Sequence, residues 1–140
     1  MIVVQKGVTH PWMCDVLGHL TTRHYMAMFD DAAYHLLYCV FGWAGASDAD
    51  GQIGWVDVRH VIEYRAEVMA GDILEIRASL NKIGTKSITI SYEMTNLGKN
   101  EISATLECVC VLFDLQKHES IALSEQLREL AAKHFIRNSE

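Results

Sequence analysis

The sequence predicts an α+β fold in which an antiparallel sheet wraps one face around a single long helix, in the order β-α-β-β-β-β-α. Three observations predict it. One stretch near the N-terminus repeats apolar residues at helical spacing, four consecutive later stretches alternate apolar with polar residues, and a short amphipathic segment follows them.

The N-terminal run Ile2-Val3-Val4 reads as the first strand. No basic region precedes it and no small-residue cleavage site follows, so a signal peptide and export are not expected. From Tyr25, the residues Met28, Phe29, Ala32, Leu36, Leu37, Val40 and Phe41 follow i, i+3, i+4, i+7 spacing, which predicts a helix of about four to five turns. Thr21 or Thr22 can cap its start, and Gly42 stands where a glycine commonly ends such a helix. Met26, Ala27, Ala33 and Tyr34 widen the apolar stripe, so the helix is expected to be enclosed by other structure.

The segment from Ala44 to Gln52 is rich in Gly, Ser and Asp and reads as an irregular loop. Beyond it the period becomes two. Val56, Val58, Ile62, Tyr64, Ala66 and Val68 form an expected inward row against Asp57, Arg59, Glu63, Arg65 and Glu67, with His60 interrupting that row. His60 is read as a hydrogen-bonded core histidine. Turns at Gly71-Asp72, at Gly84 and at Asn96 to Asn100 separate three further strands, whose inward rows are Leu74 to Leu80, Ile88 to Met94 and Ile102 to Leu112. Four long strands joined by short turns make an antiparallel meander with one packed face. Ser124 then caps a helix in which Leu127, Leu130, Ala131 and Phe135 share a face.

No repeat, low-complexity tract or linker divides the 140 residues, so a single domain over 1–140 is expected. A chain of this size buries roughly 68–70% of its unfolded surface and needs no staples. Its net charge of −6, with no block of Lys or Arg, argues against nucleic acid and anionic membranes as partners. No window reaches the ~20 apolar residues that cross a bilayer, and a cytoplasmic location is expected. Cys14, Cys39, Cys108 and Cys110 read as reduced thiols. Cys108 and Cys110 fall on one strand face as a buried pair; a zinc site there would need a second ligand pair.

His10 to Tyr25 concentrates the chemistry-bearing residues: the only proline, three histidines, and Asp15 ahead of a glycine turn. It leads into the helix start, where unpaired amides and a partial positive charge can polarise a carbonyl and hold an oxyanion. A carboxylate just upstream can attack the same carbonyl or activate water beside it. Local features alone equally allow Asp15 to be a cap or a solvated loop residue.

The run DVLGHLTTRHYMAMFDDA, Asp15 to Ala32, resembles the hotdog-fold thioesterases of the 4-hydroxybenzoyl-CoA thioesterase family. The run from Val61 to Met94 resembles that family's strands. The resemblance implies hydrolysis of an acyl-CoA thioester with Asp15 as nucleophile or general base. It implies that backbone amides at Thr21 to Arg23, Thr22 foremost, polarise the carbonyl, that Gly18 allows the sharp turn, and that His19 orients Asp15 or the thioester. The family often carries asparagines where Thr21 and Thr22 stand here; the backbone role survives that change. Arg59, Lys82 and Lys86 lie on or beside strands that resemble the family's coenzyme A edge. No cofactor is implied beyond the coenzyme A of the substrate, and no metal. A homodimer or homotetramer is implied, because a lone hotdog leaves a sheet edge and half a site exposed.

Other readings are a hotdog hydratase or dehydratase using Asp15 and His19, a non-catalytic acyl-CoA binding module, and a metal site from His10, Cys14, His19 and His24. The stretch Gly54 to His60 resembles thioesterase domains attached to some carnitine dehydrogenases. That suggests a short cationic acyl group such as betainyl, which Trp12, Trp43 or Trp55 could face by cation–π attraction.

Overall fold

The computed structural model describes residues 1–45 and 52–137, without the side chains of 135–137. In chain order these form β1 (Ile2–Val8), a 3-10 turn (Pro11–Met13), α1 (Thr22–Phe41), β2 (Ile53–Tyr64), β3 (Ile73–Ile83), β4 (Ser87–Asn96), β5 (Glu101–Asp114), β6 (Glu119–Ser120) and α2 (Glu125–Arg137). The strands make one antiparallel sheet ordered β1-β3-β4-β5-β2, with β6 added beside β5. This is the hotdog arrangement. The 3-10 turn and the two-residue β6 are additions to the expected order, both too short to set up a sequence period.

The alternating rows of β3, β4 and β5 bury as their pattern requires. Leu74, Ile76, Ala78 and Leu80, then Ile88, Ile90, Tyr92 and Met94, then Ala104, Leu106, Cys108, Cys110 and Leu112 all lie in the core. α1 fills the face they present with Tyr25, Met28, Phe29, Ala32, Leu36, Leu37 and Val40. Gly42 ends α1 in the left-handed conformation at φ +67°, and its N–H reaches Tyr38 O at 2.8 Å while that of Trp43 reaches Leu37 O at 3.4 Å. This pairing satisfies carbonyls that the last turn leaves free. Enclosure of α1 is one-sided, however. Tyr34 and Tyr38 stay exposed at 57% and 63% on the flank away from the sheet.

β2 departs from its expected facing. Asp57 opposes Cys110 and Arg59 opposes Val109, so Val58 is an extra residue bulged out of the ladder. The bulge shifts the period by one. Asp57, His60, Ile62 and Tyr64 stand opposite the core residues Cys110, Cys108, Leu106 and Ala104, whereas Val56 and Val58 are exposed. His60 is therefore on the inner side but remains about one-third open rather than in the core, because β2 is the edge strand. The strand also ends at Tyr64, short of Ala66 and Val68.

Ser124 caps α2 as expected, its Oγ accepting the Leu127 amide at 3.2 Å, and α2 packs on β3 and α1 with Ala131 fully buried. Phe135, expected on that face, and residues 46–51 of the expected irregular loop lie outside the described set.

Candidate active site

The connection from β1 to α1 is held at both ends by backbone bonds. Thr9 N–H donates to Asp72 O at 2.9 Å and Gly71 N–H to Thr9 O at 2.7 Å, which ties the exit of β1 to the turn before β3. Met13 O accepts both the Thr21 N–H at 3.0 Å and Thr21 Oγ1 at 3.1 Å, drawing the loop against the start of α1. Between these anchors Cys14 pairs with Leu20 as an isolated antiparallel bridge, and the chain reverses over Asp15 to His19. Gly18 turns it at φ +81°, the left-handed region that a side chain disfavours. Its N–H donates to Asp15 O at 3.0 Å.

Asp15 projects from this turn into solvent. Oδ1 accepts the Leu17 amide at 2.8 Å and the His19 amide at 3.1 Å. The His19 amide first, and the Leu17 amide next, hold the carboxyl below the usual aspartate value, so it is ionised across the neutral range. His19 thus positions Asp15 through its backbone rather than its ring; the ring Nε2 stands 3.6 Å from Glu67 Oε2.

The start of α1 is open. Thr21 occupies the N-cap position with extended backbone, yet its hydroxyl is bonded to Met13 O and makes no cap, and the first turn holds no acidic residue. The Thr21 carbonyl takes the amides of His24 and Tyr25, leaving those of Thr22 and Arg23 without a capping side chain. Beside this helix start lies a cleft of about 430 Å³ lined by His19, Leu20, Thr22, Tyr25, Tyr64, Arg65, Ala66, Glu67 and Val68. Thr22 and His19 therefore share a cavity, with Asp15 and Gly18 on the adjoining turn. Tyr25 and Tyr64 meet edge to face there, with ring centroids 4.9 Å apart.

Other expected residues lie elsewhere. Lys82 and Lys86 sit at the β3–β4 hairpin, whereas the Asp15 turn bridges to Met69 just before β3 begins. About nine strand residues separate the two ends, roughly 30 Å, so one chain does not gather them. Arg59 pairs with Glu107 at 2.9 Å and lines a second, smaller cleft of about 320 Å³ on the outer sheet face. Trp12 stacks on His10 with centroids 4.1 Å apart, Trp43 on Tyr34 at 5.8 Å, and Trp55 on Phe41 at 4.9 Å; none lines the cleft. His10, Cys14, His19 and His24 form no metal-ligating group among the described residues.

The sequence reading missed Tyr25, Tyr64 and Glu67 as cleft residues. Tyr25 was open to detection, lying three residues after Thr22 on one helix face. Tyr64 and Glu67 come from the far end of β2, and no local pattern couples them to α1.

A sheet wrapped round one long helix, with the open start of that helix next to the turn that carries Asp15, makes this a hotdog protein, and its family match puts it in the thioesterase class. Residues 8–130 match the family described as the thioesterase-like superfamily, and the chain belongs to it. Among curated proteins it is 25% identical over 122 residues to the long-chain acyl-CoA thioesterase FadM of Escherichia coli strain K12, covering 82% of this chain and 86% of FadM. Among solved structures it resembles SAV2348 of Staphylococcus aureus in complex with CoA, with a TM-score of 0.87 and 14% identity, covering 96% of this chain and 85% of that one. It also resembles Slr0204, a 1,4-dihydroxy-2-naphthoyl-CoA thioesterase from Synechocystis, with a TM-score of 0.79 and 14% identity, covering 91% and 93%. At such identities the structures establish the fold.

Proposed function

We propose that the chain hydrolyses an acyl-CoA thioester to the free acid and coenzyme A. The observation that carries this is the uncapped start of α1 next to the Asp15 turn, in a loop that Met13 O ties to Thr21 at that helix start. The thioester carbonyl oxygen takes the Thr22 and Arg23 amides, which stabilise the negative charge that grows on it during attack. Asp15 acts on the carbonyl carbon in one of two ways. As a nucleophile it forms an acyl anhydride and expels the coenzyme A thiolate, which takes a proton from solvent; water then cleaves the anhydride. As a general base it removes a proton from the attacking water. Gly18 supports the turn, and His19 fixes the carboxylate by its amide.

Asp15 stands exposed in a single chain, and β2 offers an open edge with Val58 at 60% exposure. A second copy covering that edge would supply the missing wall, so the working unit is a homodimer, or a homotetramer built from it. Arg59, Lys82 and Lys86 are proposed as contacts to the coenzyme A phosphates, drawn from either chain. For the acyl group we propose a short chain such as betainyl, supported by the Gly54 to His60 resemblance. The modest cleft, with the Tyr25 and Tyr64 rings and the Glu67 carboxylate, suits a quaternary ammonium. FadM is named for long-chain substrates, so the choice is open to direct comparison.

The test is release of free thiol from a panel of short, cationic, aromatic and long acyl-CoAs. Turnover that Asp15→Asn lowers by orders of magnitude supports the proposal. Tight binding without turnover would leave a binding module, and hydration of crotonyl-CoA a hydratase. A single turnover in ¹⁸O water separates the two routes, because only the anhydride route can leave label in the Asp15 carboxylate.

A further inference from the structure

The sequence reads Cys108 and Cys110 as a buried pair of thiols that would need a second ligand pair to hold zinc, and the bulge at Val58 brings such a pair opposite them. By shifting the period of β2 it turns Asp57 to the inner side that His60 already occupied, so that the two stand opposite Cys110 and Cys108. Cys108 Sγ lies 3.7 Å from Cys110 Sγ and 3.3 Å from Asp57 Oδ1, and His60 Nε2 lies 3.1 Å from Asp57 Oδ2. Donor atoms of Asp57, His60 and Cys108 all fall within 4.8 Å of one another. Ligand atoms of a tetrahedral zinc ion, at bond lengths of about 2.0–2.3 Å, stand roughly 3.3–3.8 Å apart. The sulfur–sulfur pair and the two contacts to one or the other Asp57 oxygen match to within a few tenths of an ångström. Cys110 Sγ is 2.7 Å from Asp57 Oδ1, closer than two ligands of one ion stand, and falls outside the group whose donors all lie within 4.8 Å of one another, so its side chain must rotate to join them.

Two further observations point to an occupant. A cavity of about 10 Å³ adjoins the group, lined by Asp57, His60, Cys108, Asp30, Phe29 and Tyr92 among others. It is far too small for an organic ligand and has room for about one water or one monatomic ion. Tyr92, fully buried, lines the same cavity with a hydroxyl that has no hydrogen-bond partner among the described residues. Buried hydroxyls seldom go unsatisfied. The choice between water and metal is set by the donors. Two thiols, an imidazole and a carboxylate, with the Asp30 carboxylate beside them, suit a thiophilic divalent cation.

We propose that Asp57, His60 and Cys108, with Cys110 as fourth donor, bind one zinc-class divalent ion. Binding releases the thiol protons to solvent. The ion pins edge strand β2 to β5 across the bulge and holds that edge in shape.

The test uses untagged full-length protein under reducing conditions, titrated with Co²⁺ and competed with Zn²⁺. One Co²⁺ per chain is expected, with the thiolate charge-transfer absorption and the strong visible bands of a tetrahedral site. At a hundredfold excess over Kd, Zn²⁺ should raise the melting temperature by about 5–10 °C. His60→Gln, at a partly open position that spares the core, and Cys108→Ser should each weaken binding on the order of a hundredfold. Asp15→Asn should leave binding unchanged, which keeps this result separate from any loss of thioesterase activity. Fewer than about 0.1 equivalents of bound Co²⁺, or binding that both His60→Gln and Cys108→Ser leave intact, would overturn the proposal.

Discussion

Asp15 Oδ1 accepts the backbone amide of His19 at 3.1 Å, so among the described residues the group proposed to attack the thioester is held by its own turn alone. That bond, with the one from Leu17, lowers the carboxyl pKa below the usual aspartate value. A lowered carboxylate pKa in the folded state stabilises the fold above the unfolded value, and the contribution fades as pH falls through the lowered one. The same shift governs activity. The ionised form should persist through the mildly acidic range, so kcat/KM should show no acid limb from Asp15 until pH falls below the ordinary aspartate range. A pH profile of kcat/KM checks this. A limb near pH 6 would assign the essential base to another group.

The amide of Thr22 can be deleted without breaking the helix. Thr22 is the first residue of α1, the position where proline is favoured, and Thr21 before it already has φ −83° and ψ 156°, which a following proline requires. Thr22→Pro should keep stability within about 1 kcal/mol. If the amide polarises the carbonyl, kcat should fall roughly 10²–10³-fold, while Thr22→Ala, which keeps the N–H, stays within a few-fold. Equal effects from the two substitutions would remove the backbone from the mechanism.

Gly18 holds φ +81°, and a Cβ added there would meet only the Met69 methyl at 3.6 Å. Space is adequate; backbone conformation is the cost. Gly18→Ala should therefore destabilise by roughly 1–2 kcal/mol, about 3–8 °C, and Gly18→Asn by less, because asparagine tolerates the left-handed region. Thermal melts of the two variants rank them, and an alanine variant as stable as the parent would contradict the assignment.

Edge strand β2 is expected to carry assembly. Val58 projects from the bulge at 60% exposure, so Val58→Lys removes almost no packing within one chain and should change monomer stability by less than about 0.5 kcal/mol. Across a two-fold interface the lysine would bring two charges onto one apolar contact. Light scattering should show a shift toward monomer, with activity falling in parallel. A fully assembled and active variant would place the interface on another surface.

What the sequence disclosed, and what it hid, divide at the reach of local pattern. Ile88, Ile90, Tyr92 and Met94 were legible because each strand's period of two is written in its own residues, and α1 was legible from its spacing and from Gly42. Asp15 and Thr22 were legible because seven residues of one loop link them. Val58 was not. Val56, Asp57, Val58 and Arg59 alternate without a break, and only the pairing of Asp57 with Cys110 and Arg59 with Val109 exposes the extra residue. Asp57 accordingly read as an outward polar residue, and its approach to the two cysteines was hidden. Tyr64 and Glu67 escaped for the same reason, since their place beside Thr22 is a property of the folded sheet.

Tyr92 offers a test of sign rather than size. Its ring packs edge-on against Phe29 with centroids 6.2 Å apart, and its hydroxyl is buried with no partner among the described residues. Burial, followed by the neighbouring thiols of Cys110 and Cys108, pushes its pKa upward, so the group stays a neutral donor. A buried hydroxyl without a hydrogen bond costs about 1–3 kcal/mol relative to one in water, whereas the ring contributes the same packing in phenylalanine. Tyr92→Phe in chelator-treated protein should therefore raise stability by about 1 kcal/mol in urea, with an unchanged m-value showing that the folded and unfolded states are otherwise the same. A loss of stability of similar size would mean that the hydroxyl is bonded to something held in that small cavity.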